Sequence, residues 1–397
     1  MILSEIANYV DESIRSTDIT LEEYITIDCL LQNKEGRTIA TNLPPSPCSL
    51  TKYKPGDILI GNIRPYLKKI WKANCEGGCS NDVLVFRAKD SNLSDYLYAL
   101  LLQDNFYSYV MKAPKGSKMP RGDKNHIMRF PVADIGSNGI NVGEFISDIE
   151  RKMTNNRKQN DLLEKMAKLL YDYWFVQFDF PDENGRPYKS SGGAMVYNEQ
   201  LKREIPKGWE VDSLYKIANF VNGLACQKFR PTEDEGSLPV IKIREMHDGI
   251  TSDTEEVSCN IPKKYKVYNG DILFSWSASL EVMMWANGDG ALNQHIFKVS
   301  EKEGYPKYFV YYKLLNYINI FRLMADARKT TMGHITVDHL SQSKIELPLN
   351  LSILRQFEEN VKPLFEKIVQ NTIETNTLRL QMSTLLPLLM TGQATLK

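Results

Sequence analysis

Residues 3–10 read LSEIANYV, and residues 214–221 read LYKIANFV. This pair opens a longer correspondence. PGDIL at 55–59 returns as NGDIL at 269–273, and SNDVLVF at 80–86 sits like LNQHIFK at 292–298. Residues 116–132 carry Gly, Met and basic residues and end in FPV, and residues 328–348, RKTTMGHITVDHLSQSKIELP, hold the corresponding place. A period of about 212 residues is far longer than a solenoid unit, so the chain reads as two copies of one domain. In each half a Gly-Asp turn (Gly56-Asp57, Gly270-Asp271) leads into an apolar strand. Residues 95–111 and 306–324 read as amphipathic helices, the second opened by Pro306. Strands and helices mixed within one half predict an α+β domain.

Each half then enters a longer helix. Ile146, Ile149, Met153, Asn156, Asn160, Leu163, Ala167, Leu170 and Trp174 alternate at spacings of three and four. Leu354, Phe357, Val361, Leu364, Ile368, Asn371, Thr375, Leu378, Met382, Leu385 and Leu389 do the same, 215 residues later. Sustained alternation of this kind is a coiled-coil seam, and an amphipathic helix packed only on its own domain usually runs ~8–20 residues. Both seams carry polar residues at the same middle positions, Asn156/Asn160 and Asn371/Thr375. Such residues cost stability and fix register or partner choice. A helix from Phe145 to Phe175 would be about 46 Å long, and the two helices can pair parallel or antiparallel. Between the halves lies WFVQFDFPDENGRPYKSSGG, whose Pro, Gly and Ser mark a connection.

Composition narrows the class. The 397 residues exceed one ordinary core, and 42% hydrophobic with 25% charged residues is usual for a soluble globular chain. Forty-nine basic and 49 acidic residues cancel, so a nucleic-acid surface, if present, must come from local segregation of charge. The six cysteines are scattered through a long chain and do not form a disulfide framework. The start shows no basic region followed by an apolar one, and no apolar run approaches the ~20 residues of a membrane span. A reducing cytoplasm is the expected compartment, with no membrane association.

The mid-chain run Tyr173-Trp174-Phe175-Val176-Gln177-Phe178-Asp179-Phe180-Pro181, followed by Glu204-Ile205-Pro206-Lys207-Gly208-Trp209-Glu210, resembles the central connection of type I restriction–modification specificity subunits. The second half carries that family's ordered cues: Ile-Pro-Lys-Gly-Trp, a Gly-Asp-Ile-Leu strand, the Asn293-Gln294 pair, and Thr-Met-Gly-His-Ile before Leu-Pro. The C-terminal LLPLLMTG at 385–392 looks like its closing helix. The likeness covers nearly the whole chain and rests on the ordered set, since no single motif is specific. The first half departs from it: it lacks the Pro-Lys-Gly-Trp opener and carries the loop GSKMPRGDKNHI.

The resemblance implies an α+β fold of two similar target-recognition domains related by pseudo-twofold symmetry, joined by two long helices packed as a coiled coil. On this reading residues 1–143 and 206–350 are the recognition domains, 144–178 and 351–392 the spacer helices, and 179–205 the linker. It implies a non-catalytic subunit that reads each half of a bipartite site in double-stranded DNA. The helices would set the spacer and dock two methyltransferase subunits, to which restriction/translocase subunits are added. No cofactor is expected on this chain; the partners would use S-adenosylmethionine, and ATP with Mg2+. The helix seam, and with it partner docking, is expected at Ile149, Met153, Asn156, Asn160, Leu163, Leu170, Leu364, Ile368, Asn371, Leu378 and Leu385.

Local charge supports DNA reading. Residues 112–129, KAPKGSKMPRGDKNHIMR, hold six Lys and Arg against one acid, Asp123. Lys52, Lys54, Arg64, Lys68, Lys69 and Lys72 form a second basic stretch with Tyr53, Tyr66 and Trp71 interleaved. Arg and Lys suit guanine edges, and Asn and Gln suit adenine. Arg64, Arg121, Asn125, Gln227, Arg244 and Arg328 are therefore the expected base contacts. Lys68, Lys115, Lys118, Lys124, Arg230, Lys242, Lys329 and Thr331 complete the expected DNA surface, with positions fixed by phosphate contacts. A solvated surface loop is the competing reading, and the charge imbalance of 112–129 favours DNA contact over it.

Catalytic signatures are missing from the sequence. There is no phosphate-binding G-x-x-x-x-G-K-[ST], no G-x-G-x-x-G after a strand, no Asn/Asp-Pro-Pro-aromatic tetrapeptide, no H-E-x-x-H and no G-x-S-x-G. Cys75-Glu76-Gly77-Gly78-Cys79 lacks a second ligand pair for zinc and reads as two thiols on a turn. An enzyme fused to a reader is thereby disfavoured. A helical scaffold that assembles partners without reading DNA sequence stays open at this point.

Overall fold

The computed structural model describes all residues except 117, 134, 135, 137, 278, 328–334 and 397, and omits the side chains of 325–327. The fold is α+β, with two compact units: Met1–Met153 with Thr377–Lys397, and Thr154–Asn376. Two long helices, Asn138–Tyr171 and Ser352–Met390, each contribute residues to both units.

The Gly-Asp-Ile-Leu signature positions the same strand in each unit. In the first, Gly56 at φ 91° makes the turn, Lys54 N–H donates to the Asp57 carboxylate at 2.8 Å, and Ala73 N–H donates to the Asp57 carbonyl at 2.8 Å. In the second, Gly270 at φ 90° is followed by Tyr268 N–H on the Asp271 carboxylate at 2.9 Å and Trp285 N–H on its carbonyl at 2.8 Å. A left-handed turn position of this kind suits glycine. The strand that follows alternates its side chains between two cores. Ile58 and Ile60 enter the larger core of the first unit while Leu59 enters a smaller one. Ile272, Phe274 and Leu273 repeat the division in the second.

The main sheets share one order. Strands Ala7–Tyr9, Val83–Ala88, Ile58–Gly61 and Ile70–Lys72 lie side by side, all antiparallel. Ala218–Asn222, Ile296–Glu301, Ile272–Ser275 and Glu281–Met284 repeat them. The register corrects one detail of the sequence comparison. Val83 faces Gly61 and Ile296 faces Ser275, so Ser80-Asn81-Asp82 corresponds to Asn293-Gln294-His295, one residue away from the alignment of the two strings above. The LSEIANYV repeat forms a helical turn into the edge strand, and Lys89 and Lys302 each donate from Nζ to a carbonyl of that turn, Ser4 and Tyr215.

The second sheets differ at one edge. Gly77–Cys79 lies between antiparallel Ser49–Tyr53 and parallel Tyr24–Ile25, as Gly290–Leu292 lies between Lys266–Val267 and Ser237–Ile241. The fourth strand, Ser13–Arg15, extends the Ser49–Tyr53 side in the first unit. In the second unit Glu256–Ser258 extends the opposite side, on Ser237–Ile241. The missing opener of the first half also has a structural counterpart. Trp209–Ser213 pairs along its whole length with Lys344–Pro348, whereas at the corresponding place in the first unit the described residues form one bridge, Ile2 with Pro131.

Helices differ modestly from the sequence expectation. Residues 95–111 form two helices, Ser94–Leu102 and Asp104–Val110, broken where Gln103 adopts extended backbone. Residues 307–327 form one. The first long helix begins at Asn138 and ends in a wider π turn, Asp172–Val176, which buries Trp174 and Phe175. The segment expected as a linker is packed: Phe180 and Ile205 are buried in the core of the second unit, and Met195–Asn198 pairs with Arg203–Pro206.

The long helices run antiparallel within the second unit. Asn156 and Asn371, each 1% exposed, lie at the same level. Asn156 Nδ2 donates to Thr375 Oγ1 at 3.3 Å and to Glu374 Oε2 at 2.8 Å, while Asn371 Nδ2 donates to Asn160 Oδ1 at 3.0 Å and to Gln159 Oε1 at 3.2 Å. Leu163, Leu170 and Leu364 pack at the edge of this unit's core and Ile368 lies within it. In the first unit Ile149 and Met153 share a core with Met382, Leu386 and Leu389, and Leu378 and Leu385 flank it.

A buried ion pair ties the connecting hairpin to the second unit. Lys313, 3% exposed, donates to Glu346 Oε1 at 2.6 Å, and Arg203 lies 3.5 Å from the same oxygen. Burial works against the Glu346 carboxylate, but the Lys313 and Arg203 charges outweigh it and hold it below the usual carboxylate range. Removing Lys313 leaves the buried Glu346 carboxylate with only the part-exposed Arg203, 3.5 Å away. Lys313→Ala should therefore lower stability by about 3–5 kcal/mol, with the paired change Lys313→Met, Glu346→Leu recovering most of it. Denaturant unfolding of the three chains checks this; equal losses for the single and paired changes would contradict it.

Candidate nucleic-acid interface

In the first unit the basic loop is built on a short hairpin. Pro114–Lys115 pairs with Arg121–Gly122, placing Lys115 opposite Arg121. Gly122 fits where a side chain would not: a Cβ there would come within 3.0 Å of Ile127, Asn62 and Val110. Asp123 caps the helix Lys124–Ile127 by accepting from His126 N–H at 2.8 Å, and it pairs with Lys115 at 2.5 Å. The Lys115 ammonium first, and the His126 N–H second, hold the Asp123 carboxyl at about 2. The one acid of the loop thus stays charged and serves as a cap.

Arg64 is joined to this hairpin through its own N–H, which donates to the Pro120 carbonyl at 2.8 Å. Arg64 and Lys68 flank the turn Pro65–Leu67, both at φ 51°. Non-glycine residues in that region cost on the order of 1–3 kcal/mol each and gather at working sites. Arg64, Lys115, Lys118, Arg121, Lys124 and Asn125 are exposed. Arg121 donates to Asp82 at 2.9 Å, and Lys124 lies 5.8 Å from the Tyr9 ring. Lys68 is drawn away: it pairs with Asp104 at 2.9 Å, which Lys34 also holds at 2.6 Å.

In the second unit an open cleft of about 500 Å³ gathers Gln227, Lys242 and Arg244 with Asn293, Gln294 and His295. Its cations are already paired. Lys242 donates to Glu255 at 2.5 Å. Arg244 donates from Nε and Nη2 to the buried Glu245, at 3.0 and 2.7 Å, and from Nη2 to the Asp253 carbonyl at 3.0 Å. Glu245 also accepts from the Lys242 N–H at 3.2 Å, so it anchors the start of the helix Ile243–Asp248. Asn293 accepts from His295 N–H at 3.2 Å, and the Trp276 ring lies 5.8 Å from that of His295. Arg230 is exposed and does not line this cleft. Arg328, Lys329 and Thr331 lie outside the described residues.

Asn293, Gln294 and His295 lie outside the contacts expected from the sequence, where the Asn-Gln pair is only a family cue. The available signal was positional: they occupy the turn equivalent to Ser80-Asn81-Asp82, where Asp82 holds Arg121. Among the described residues no group of three or more His, Cys, Asp or Glu side chains could hold a metal ion. No helix there is long and apolar enough to cross a membrane.

Residues 206–374 match the family described as the type I restriction modification DNA specificity domain. The chain is 26% identical to the specificity subunit of the type I restriction enzyme MjaIX of Methanocaldococcus jannaschii, over 96% of this chain and 86% of that protein. It is 22% identical to the HindI specificity subunit of Haemophilus influenzae, over 93% and 94% of the two chains. Its fold is similar to the crystal structure of a type I restriction–modification S subunit from M. genitalium, with a TM-score of 0.62 at 13% identity, covering 98% and 95% of the chains.

Proposed function

We propose that this chain, which belongs to the family of type I restriction–modification specificity subunits, reads one half of a split site in double-stranded DNA with each of its two units. The observation that carries the reading is the duplicated architecture. The same strand order recurs, and each unit presents polar and basic side chains beside the same turn. The chain is a non-catalytic component. Methyl transfer and cleavage fall to partners that bind S-adenosylmethionine, and ATP with Mg2+, in the cytoplasm where their DNA lies. Residues 1–143 and 206–350 serve as the recognition domains, 144–178 and 351–392 as spacer helices, with 179–205 connecting them.

In the first unit Arg64, Lys115, Lys118, Arg121, Lys124 and Asn125 form the contact surface, with phosphates positioning and Arg64, Arg121 and Asn125 specifying. Lys68 has a lesser part, since leaving Asp104 carries a cost. In the second unit Gln227 and the cleft around it face DNA, and Arg230, Arg328, Lys329 and Thr331 are kept as contacts on the sequence pattern alone. A docking face for a methyltransferase subunit is supported by the first long helix. Leu162, Met166, Leu169, Tyr173 and Val176 are all exposed there at alternating spacings of four and three, and Leu169 is 67% exposed. A stripe of that kind marks an interaction site.

Four outcomes are expected. Methylation mapping in a host that expresses this chain with its neighbouring methyltransferase gene should yield a motif of two short half-sites around a fixed gap, absent without the chain. Deleting whole heptads from both helices should alter the gap and leave the half-sites intact; altered half-sites would refute the spacer role. For the basic loop, each of Lys115→Ala, Lys118→Ala and Lys124→Ala should weaken DNA binding by the assembled complex and flatten its salt slope by about 0.9 per lost phosphate contact; an unchanged slope removes the loop from the interface. For the helix stripe, Leu162→Asp with Leu169→Asp should abolish co-purification with the methyltransferase subunit while leaving the melting temperature unchanged. Undiminished co-purification would place docking elsewhere.

A further inference from the structure

We infer that the cleft of the second unit reads an A·T pair in the major groove through the amides of Gln227 and Gln294, and that Arg244 braces this cleft instead of reading guanine. The inference rests on the DNA-reading function proposed above and names the base pair one of its sites takes.

The bonding of Arg244 decides against guanine. A guanine O6 and N7 are met by two parallel N–H groups from adjacent nitrogens of one guanidinium. Arg244 has Nε on Glu245 Oε1, one Nη2 hydrogen on the same oxygen and the other on the Asp253 carbonyl. Only Nη1 remains, and one nitrogen cannot supply the fork. Swinging the side chain free would strand Glu245, which is 1% exposed. An unpaired buried charge is strongly unfavourable. Lys242 is likewise held by Glu255.

What the cleft still offers is amide. Gln227 and Gln294 line it; Gln294 Nε2 lies 3.4 Å from His295 Nε2, which engages one of its hydrogens and leaves the other N–H and the amide oxygen, and Asn293 is buried and holds the turn through the His295 N–H. A primary amide presents a donor and an acceptor side by side, the complement of adenine N6–H and N7. With its two cations neutralised by Glu255 and Glu245, the cleft lacks the free positive charge that favours guanine. The first unit contrasts with it: Arg121, held from its hairpin by Asp82 of the equivalent turn, gives Nη2 to that carboxylate and is exposed.

The test uses the full chain assembled with its methyltransferase subunits, and duplexes bearing the split motif found by methylation mapping. Each purine of the two half-sites is replaced in turn by its 7-deaza analogue, which lacks the N7 acceptor. One adenine in the half-site of the second unit, other than any base that is methylated, should weaken binding by roughly 5- to 100-fold on replacement. Gln227→Ala or Gln294→Ala should cause a similar loss, and on that variant the 7-deaza duplex should lose nothing further. These variants also identify the half-site, because only its positions relax in the methylation map. Arg244→Lys should leave the preferred bases unchanged. A loss confined to 7-deazaguanine in that half-site, or a relaxed guanine position on Arg244→Lys, overturns the inference; so does an unchanged motif in both glutamine variants. Absence of any chain-dependent split motif would instead overturn the DNA-reading function itself.

Discussion

Two asparagines inside the helix pair set the terms for the rest of the molecule. Asn156 and Asn371 are almost wholly buried, and a buried amide without partners costs on the order of 1–3 kcal/mol. The observed register satisfies their donors: Asn156 gives to Thr375, and Asn371 gives to Asn160. These two bonds are counterparts, because each residue of the second helix lies 215 positions after its equivalent in the first. The layer therefore maps onto itself when the two helices are exchanged. A slip of one heptad would bring apolar side chains against both amides. The apolar layers, Ala167 and Tyr171 with Phe357 and Val361 in one unit and Met153 with Met382 and Leu386 in the other, form where this register puts them.

Much of this was legible in the sequence because repetition and periodicity are covalent properties. The LSEIANYV and Gly-Asp-Ile-Leu repeats mark the edge strand and central strand of each main sheet, and the three–four spacing marks both long helices. What could not be read was pairing. The sequence left the helices parallel or antiparallel, and it could not place the fourth strand of each second sheet, which joins opposite edges in the two units. The one-residue shift at 80–82 arose the same way, since only the ladder fixes which residues face one another. The connecting segment looked like a linker because its Gly, Ser and Pro are local signals. Its aromatic residues are buried by partners distant in sequence, among them Trp209 against Phe180.

The candidate interface was legible by residue type and not by state. A cation in a sequence is counted as free, and in the fold several are not. Lys68 belongs to Asp104, Lys242 to Glu255, and Arg244 to a buried glutamate adjacent to it in the chain. Conversely, Asp123 counted as the loop's single opposing charge, and its carboxylate instead caps a helix and steadies Lys115. A chain with no net charge can hold a basic hairpin on one unit and a nearly neutral, amide-lined cleft on the other, so the two units present different chemistry on a shared frame.

The first unit closes its core with Met382, Leu386, Leu389 and Met390, which lie within the last 20 residues of the chain. During synthesis the N-terminal domain therefore leaves the ribosome before the residues that complete it exist, and the second unit has its whole sequence first. A message cut short anywhere upstream of residue 380 yields a product whose first domain has an open apolar face. Such a fragment exposes apolar surface of the kind that makes incompletely folded chains prone to aggregate.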